Sequence, residues 1–319
     1  MKLNRFIDSL PIKTGLLAAL ALGGCIATTL PYMRTETAQR IASPAWMIKR
    51  DIAAAPYLLR SYERIHDRGG VANLYIAGDG AINASIEEWE LDPTPKNPVA
   101  LHLASKDRAD NVIFIARPCQ YTAMLSKGDV CDESTWKGKR FSGEIIASFD
   151  KALNDIATRY DIRGFNLIGY SGGAAIATLL ATQRNDIFSI RTVAGILDHE
   201  THSAVSGVPV LNGSLNPVKK ASALTRIPQY HFIGGQDNYV PPAVLHSYLQ
   251  AMPPTSCVQT MLIQEADYDT GWVDKWPELL KLPVTCYSGN GNESPPTDFG
   301  ETTPSKTPTL TIREKPLKP

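Results

Sequence analysis

The protein has 319 residues, and its 32 Lys and Arg are balanced by 32 Asp and Glu. A formal net charge of zero argues against nucleic-acid binding, which usually requires a basic surface, so we expect no nucleic-acid partner. The hydrophobic fraction of 43% excludes wholesale disorder and permits one large α/β domain or two small ones.

The N-terminus has the composition of an export signal. Three basic residues precede an apolar run over residues 15–24, and Cys25 follows directly. This pattern is typical of a secretory signal peptide, and no apolar run reaches the roughly 18 residues that a membrane span requires. The sequence LGGC at residues 22–25 resembles the lipobox of bacterial lipoproteins. The resemblance implies cleavage before Cys25 and a lipid on that cysteine, although an ordinary signal peptide with an incidental cysteine is the alternative.

These features predict a signal peptide over residues 1–24, a tether over residues 25–50 and a folded domain over residues 51–287. The expected location is the cell envelope, on the periplasmic side, where the lipid on Cys25 would anchor the protein in the membrane. Because Ile26 rather than Asp follows the cysteine, the resemblance favours the outer membrane in a Gram-negative host. Protein partners cannot be inferred from the sequence.

Short apolar runs alternate with helical patterns through the body of the chain. Continuous apolar runs of this length are typical of buried, largely parallel strands, and their alternation with helices predicts a sheet covered on both faces. The predicted strands are Tyr57–Glu63, Ala72–Gly78, Asn111–Arg117, Phe165–Tyr170, Ile190–Leu197, Gln229–Gly235 and Val258–Gln264. The predicted helices include residues 145–160, Ala174–Leu180, Pro242–Met252 and Trp272–Leu280.

Four cysteines remain after Cys25, and an even number in an exported chain suggests disulfides. Of the three possible pairings we favour Cys119–Cys131 and Cys257–Cys286, because the members of each pair are close in sequence. Closing a loop of about a dozen residues is worth about 3 kcal/mol in the chain-entropy model. No Cys-x-x-Cys or paired His motif is present, so we expect neither a metal nor another cofactor.

The strongest chemical signal is Gly169-Tyr170-Ser171-Gly172-Gly173, which lies between an apolar strand and an apolar helix. This is the G-x-S-x-G pattern of a nucleophile elbow, in which glycines permit a sharp turn that exposes the serine hydroxyl. The amides of the following helix can stabilise a developing oxyanion. Ser171 is therefore the predicted nucleophile.

A serine nucleophile needs a base, and the base needs a carboxylate that orients it. Asp237 follows the predicted strand Gln229–Gly235 directly, which is the position expected for the acid. Asp198, after the preceding strand, is the second choice, and its alternative role is a helix N-cap.

A further oxyanion donor is expected in the loop Gly78–Ala81, after an early strand. Its glycines would let the backbone amides face the substrate, so we assign the oxyanion hole to Gly172, Gly80 and Ala81. Asp79 could instead form an Asx-turn that fixes this loop.

Several segments together resemble a family of exported bacterial α/β-hydrolases. The resemblance covers about Tyr57 to Leu282, and it implies the α/β-hydrolase fold with a mostly parallel central sheet and helices on both faces. It also implies Ser171 as nucleophile, Asp237 as acid and an oxyanion hole formed by Gly172 and the Gly78–Ala81 loop. The segments are YIAGDG, LDPTPKNPVALHLA, IARPCQY, residues 131–136 followed by RFS, GYSGG, TVAGILDH, GSLNP, PQYHFIGGQD and GWVDKWPELL.

One departure from the family pattern concerns the catalytic base. Tyr268 occupies the position where the family has a histidine, in the sequence ADYDTGW. A phenol titrates near pH 10 and is a poor base at pH 7. No other histidine fits: His246 lies on a predicted helix, and His199 and His202 follow an earlier strand. We interpret these and the remaining histidines as structural.

Residues 288–319 are rich in Pro, Thr and Ser and nearly free of large apolar residues, so we predict a disordered tail. For the domain, two functions remain open. The first is a serine hydrolase that acts as an esterase on small acyl substrates. The second is a binding or scaffold protein on the same fold, catalytically weak because Tyr268 replaces the histidine.

Overall fold

A twisted sheet forms the centre of the protein, in a computed structural model that describes residues 32–80, 92–122, 130–287 and 297–298. Within these residues the sheet has the strand order β1-β2-β4-β3-β5-β6-β7-β8-β9. Strands β3 to β9 are parallel where they pair, whereas β1 and β2 are antiparallel to their neighbours. The strands are β1 (Ile48–Ala54), β2 (Tyr57–Ile65), β3 (Val71–Ile76), β4 (Asn111–Ile115), β5 (Gly164–Tyr170), β6 (Ile187–Val193), β7 (Gln229–Gly234), β8 (Val258–Ile263) and β9 (Thr297–Asp298).

Helices cover both faces of the sheet. The described α-helices are α1 (residues 32–42), α2 (Val99–Lys106), α3 (Glu133–Trp136), α4 (Gly143–Tyr160), α5 (Gly172–Ala181), α6 (His199–Ser206), α7 (Pro242–Gln250) and α8 (Trp276–Leu279). Two 3₁₀-helices, Ser43–Ala45 and Pro217–Leu224, complete the set in these residues.

The core is divided between the two faces because successive residues of a strand point to opposite sides. Leu74 and Ile76 of β3 pack with the buried faces of α4, α5 and α7. Tyr75, between them, packs on the other side with α1, α2 and α8. Because β3 to β9 are parallel, their carboxyl ends lie at one edge of the sheet, and side chains that follow different strands converge there.

All seven predicted strands are present, with ends shifted by a few residues. Strand β1 was not predicted, because five of its seven residues are exposed and its sequence IKRDIAA lacks a continuous apolar run. The helix predicted over Trp272–Leu280 is shorter, since only Trp276–Leu279 is helical.

The folded domain begins earlier than the sequence suggested. Ala38, Ala42 and Met47 are buried against the sheet, and Arg34 forms a buried ion pair with Asp92. Residues 32–50 are therefore part of the fold rather than a tether. Residues 1–31, with the signal and Cys25, lie outside the described residues, as do Ala81 and the tail apart from β9. No helix in the described part of the chain is long and apolar enough to cross a membrane.

Both predicted disulfides are present. Cys119 pairs with Cys131, with Cα atoms 5.6 Å apart, and Cys257 pairs with Cys286. The second bond joins the chain near residue 287 to the start of β8.

We expect thiol titration of the denatured, unreduced mature protein to detect no free thiol, since four cysteines are paired and lipid would block Cys25. Titration after reduction provides the control and should detect the four paired cysteines. Two or more thiols before reduction would contradict this pairing in the exported protein.

Candidate active site

Ser171 occupies a sharp turn between β5 and α5. Its φ of 53° and ψ of −122° lie in a region that non-glycine residues rarely adopt and that costs roughly 1–3 kcal/mol. The turn is possible because its neighbours lack side chains. A Cβ on Gly169 would lie 2.4 Å from the Ala174 Cα, and one on Gly173 would lie 2.2 Å from the Ile76 carbonyl oxygen. The sequence pattern G-x-S-x-G thus forms the strand–turn–helix geometry expected of an elbow.

Tyr268 contacts the serine directly. Its hydroxyl donates to the Ser171 Oγ at 2.8 Å. The backbone of this loop is fixed by the Tyr170 hydroxyl, which donates to the Tyr268 carbonyl at 2.9 Å, and by the Trp272 indole. The Tyr268 ring also packs edge-on against Tyr239, with ring centroids 4.6 Å apart. The side chain at the position where the sequence resemblance places a histidine therefore contacts the Ser171 hydroxyl.

Tyr268 remains protonated at neutral pH and so cannot act as a base. Burial, followed by Tyr239 and the Asp79 carboxylate, raises the pKa of Tyr268 well above its ordinary value. At pH 7 the phenol is neutral and acts as the donor to Ser171 rather than the acceptor of its proton. The nearby cations do not reverse this direction.

Asp237 is buried beside the same loop but has one oxygen without a partner. Its Oδ1 accepts from the backbone amides of Tyr239 and Val240, at 2.9 and 2.7 Å. Its Oδ2 is buried without a hydrogen bond. The Gln236 amide donates to the Ala266 carbonyl at 2.9 Å, which joins the Asp237 loop to the loop that carries Tyr268.

Burial is the main reason that the pKa of Asp237 is raised, to about 6, and Asp267 and Asp269 act in the same direction. These two aspartates flank Tyr268 in the sequence, on the loop that the Gln236–Ala266 hydrogen bond joins to the Asp237 loop. An imidazole carries a second nitrogen that could donate to Oδ2, whereas a phenol has only one polar atom. A tyrosine in place of a histidine at residue 268 is therefore expected to leave the Asp237 Oδ2 without a partner.

The raised pKa makes Asp237 a source of pH-dependent instability. An unfolded aspartate titrates near 3.9, so between about pH 4 and pH 6 the folded state binds the proton more tightly and stability falls as pH rises. We expect the free energy of unfolding of Asp237→Asn, relative to the natural protein, to increase by about 2–3 kcal/mol from pH 4 to pH 7. Urea unfolding at the two pH values measures this change. A constant difference between variant and natural protein would contradict the raised pKa.

A buried ion cluster lies beneath the elbow. Asp79 accepts from the Arg117 guanidinium at 2.7 Å and pairs with Arg140 at 3.0 Å, and all three side chains are buried. Burial raises the pKa of Asp79, but Arg140 and Arg117 outweigh it, so the net direction is downward. A Cβ on Gly172 would lie 1.8 Å from the Asp79 Oδ1, which places the cluster against the first turn of α5.

The Asx-turn suggested for Asp79 would use the Ala81 amide, which lies outside the described residues, and the sequence did not predict the ion pairs of Asp79. Its partners are 38 and 61 residues away, and only the fold brings them together. The sequence carried one indication of such a cluster. Arg117 in IARPCQY and Arg140 in RFS follow apolar or turn segments, where a buried charge needs a partner of opposite sign.

The predicted oxyanion residues are only partly described. Gly172 occupies the first turn of α5, where backbone amides lack partners within the helix. Gly80 has a φ of +93°, and a Cβ there would lie 1.8 Å from the Pro93 carbonyl oxygen. Gly80, Tyr170 and Tyr268 line a cavity of about 100 Å³, enough for several water molecules. Ala81 lies outside the described residues, so the second amide of the hole stays a prediction.

Asp198 has a structural role. It is the N-cap of α6, and its carboxylate accepts from Thr201, Asn216 and Ser247 as well as from backbone amides. Burial opposes this effect, but these hydrogen bonds lower the pKa of Asp198 to about 2. A carboxylate bound on all sides has no free oxygen with which to orient a base.

His202 lies nearer to the site than its chain position suggested. Its Nε2 contacts the Tyr239 carbonyl at 2.7 Å, its Nδ1 is buried without a partner, and burial lowers its pKa. No described hydrogen bond joins it to Ser171. In the described part of the chain, no group of three His, Cys, Asp or Glu could hold a metal ion.

No family model and no curated protein matches the sequence. Solved structures do match the fold. A bacterial membrane phospholipase A, described as a virulence factor, aligns with a TM-score of 0.50 and 12% identity over 84% of this chain and 94% of its own. Est1E from Butyrivibrio proteoclasticus aligns with a TM-score of 0.51 and 10% identity over 73% and 96% of the two chains. An esterase from Pyrococcus furiosus aligns with a TM-score of 0.51 and 12% identity over 75% of this chain and 91% of its own.

The fold is that of the α/β-hydrolases. At 10–12% identity these likenesses establish the architecture and not the substrate. Three candidate residues of this protein lie at the carboxyl edge of its sheet: Ser171 follows β5, Asp237 follows β7 and Tyr268 follows β8. The residues predicted as nucleophile, acid and base position therefore occur in the chain order of the fold's catalytic triad.

Proposed function

We propose that the protein is a slow serine hydrolase that cleaves esters of small acyl compounds, with Ser171 as nucleophile. It would be anchored in the cell envelope through a lipid on Cys25. The observation that carries the proposal is the conformation of Ser171, held at a φ of 53° with its Oγ 2.8 Å from Tyr268. Strain of this kind persists mainly at functional sites, where the surrounding structure maintains it.

In this mechanism the Ser171 Oγ forms a bond to the acyl carbon, and its proton passes to water because neutral Tyr268 accepts it poorly. The Gly172 amide, at the N-terminus of α5, would stabilise the oxyanion. The alcohol leaves with a proton, and water then hydrolyses the acyl-enzyme. The donated hydrogen bond from Tyr268 holds the Oγ in one orientation.

The expected rate is low. In a serine hydrolase, loss of the triad base costs on the order of a million-fold in turnover. The proposal therefore predicts activity that is weak but depends on Ser171.

Hydrolysis of p-nitrophenyl acetate and butyrate by the natural protein and by Ser171→Ala tests this function. We expect slow turnover that Ser171→Ala abolishes, with circular dichroism showing that the variant is folded. Equal rates for the two proteins would refute Ser171 as nucleophile. Mass spectrometry of the N-terminal peptide tests the lipid on Cys25 separately.

A second candidate, a binding protein on the same fold, is favoured by the neutral Tyr268 and by a Ser171 side chain that is fully buried. Such a protein would bind an acyl compound in the cavity beside Tyr268 without cleaving it. Ester binding, detected by calorimetry, together with the absence of Ser171-dependent turnover, would support this candidate.

A further inference from the structure

Exposed apolar side chains are concentrated in the first described residues. Nine large hydrophobic residues are exposed within the described chain, and four of them lie within residues 32–48. Trp46 is the most exposed, at 80%, and Ile48 at the start of edge strand β1 is 67% exposed. Trp46 has a left-handed backbone with φ of 59° and its amide bonded to the Ser43 carbonyl. The indole is thus presented to solvent from an ordered turn.

A cationic depression adjoins Trp46. It is lined by Arg64, Lys106 and Arg108, with Asp107 as its single carboxylate. The Asp107 carboxylate points inward, where it accepts from Asn73 and from the Tyr75 hydroxyl, each at 2.7 Å. Three cations therefore face one carboxylate that is already bound.

The cations of this depression are not neutralised by ion pairs among the described residues. Arg64 donates only to backbone carbonyls, those of Ala45, Asp107 and Ala109. Lys106 and Arg108 are exposed, and neither forms an ion pair with another described residue. The surface formed by Trp46, Ile48, Arg64, Lys106 and Arg108, here called the Trp46 patch, combines an interfacial aromatic with unpaired positive charge.

The Trp46 patch lies at the opposite edge of the sheet from the candidate active site. Helix α2 connects the two regions: Val99 and Ala100 line the cavity beside Tyr268, and Ser105 and Lys106 line the depression. At 1.5 Å per residue the two ends of this helix are about 10 Å apart along its axis. Contact through the patch would therefore leave the cavity beside Tyr268 open to water.

The proposed lipid anchor can reach this patch. Six residues lie between Cys25 and Tyr32, and the seven Cα–Cα steps that join the two span at most about 25 Å when fully extended. Helix α1 over residues 32–42 is about 16 Å long, so a tether of this length can return along it to the Trp46 end.

We propose that the Trp46 patch docks on the surface of an anionic phospholipid bilayer, with the indole at the level of the headgroups. The inference rests on the lipid anchor in the proposed function, but not on the chemistry of Ser171. Tryptophan favours the membrane–water interface, and basic residues beside it attract anionic headgroups. Docked in this way, the protein would take its acyl substrate from the aqueous side and not from the bilayer beneath it.

Fluorescence quenching of the full mature chain tests the docking. The protein is reconstituted in vesicles of phosphatidylcholine alone or of equal parts phosphatidylcholine and phosphatidylglycerol. The emission of Trp46 is taken as the difference between the natural protein and Trp46→Ser. We expect anionic vesicles to reduce the quenching of this emission by aqueous acrylamide at least two-fold, and brominated lipid to quench it.

The double variant Lys106→Glu/Arg108→Glu should lower the ratio of docked to undocked protein by about ten-fold or more, since each basic residue near an anionic surface contributes roughly a five-fold factor. Its matched control is Lys220→Glu/Arg226→Glu, which makes the same charge change at exposed residues remote from the patch and should leave the protection intact. Equal acrylamide quenching with and without anionic vesicles would overturn the proposal. Protection that is the same on neutral vesicles, or that survives the double reversal, would also overturn it. The mass of the Cys25 peptide, measured on the same sample, shows separately whether the anchor is present.

Discussion

Replacing Tyr268 by His is expected to raise the hydrolysis of a short p-nitrophenyl ester by about a hundred-fold or more. The phenol hydroxyl is already 2.8 Å from the Ser171 Oγ, so an imidazole at this position would bring a base that titrates near pH 6.5 to the nucleophile. We expect the second nitrogen of the ring to donate to Asp237, whose Oδ2 lacks a partner. That carboxylate could then hold the ring in the tautomer that catalysis needs.

Two second-site variants and a neighbour test this explanation. Ser171→Ala in the Tyr268→His background should abolish the gain, and Asp237→Asn should remove most of it. Tyr239→His is the matched control, because Tyr239 packs on Tyr268 but has no described hydrogen bond to Ser171. It should give no increase. A natural protein that is already a fast esterase, and that Tyr268→His slows, would contradict the missing-base argument.

Asp79→Asn is expected to lower the free energy of unfolding by about 3–5 kcal/mol, because it leaves the buried guanidinium groups of Arg117 and Arg140 without their shared counter-charge. Chemical denaturation monitored by fluorescence measures the loss. Glu200→Gln is the matched control, since the Glu200–Lys219 pair is exposed and should contribute less than about 1 kcal/mol. A loss for Asp79→Asn no larger than that of the control would show that the cluster does not depend on the carboxylate charge.

Replacing one arginine as well should recover part of this loss. In Asp79→Asn/Arg140→Gln only one buried cation remains to be compensated, so the double variant should be more stable than the sum of its single effects predicts. Strict additivity would indicate that Arg140 acts independently of Asp79.

Much of the sheet could be predicted from the sequence, because buried parallel strands have continuous apolar sequences. The run before Ser171 and the apolar helix after it fixed the elbow for the same reason. Strand β1 carries no such run, since it lies at the sheet edge and exposes most of its residues. Helix α1 was missed because it follows the predicted export signal, where the composition suggested a tether.

The candidate site was predictable only where each residue follows a strand directly. Ser171 and Asp237 could be placed because parallel strands end at a common edge, whereas Tyr268 was placed by the resemblance to the family's histidine motif. The Asp79–Arg117–Arg140 cluster could not, because ion pairing between distant segments leaves no local pattern. Asp237 was preferred to Asp198 from its position after a strand, and the folded chain adds their hydrogen bonds: Asp198 is bound on all sides, whereas Asp237 keeps a free oxygen.

The most direct test of the central claim is the rate and position of labelling by a fluorophosphonate, which reacts with activated serine hydroxyls. A site that keeps its nucleophile but lacks its base predicts slow labelling of the natural protein, with the adduct on Ser171. It also predicts labelling of Tyr268→His that is faster by about a hundred-fold or more. An adduct on another residue, or natural protein that labels as fast as Tyr268→His, would contradict the claim.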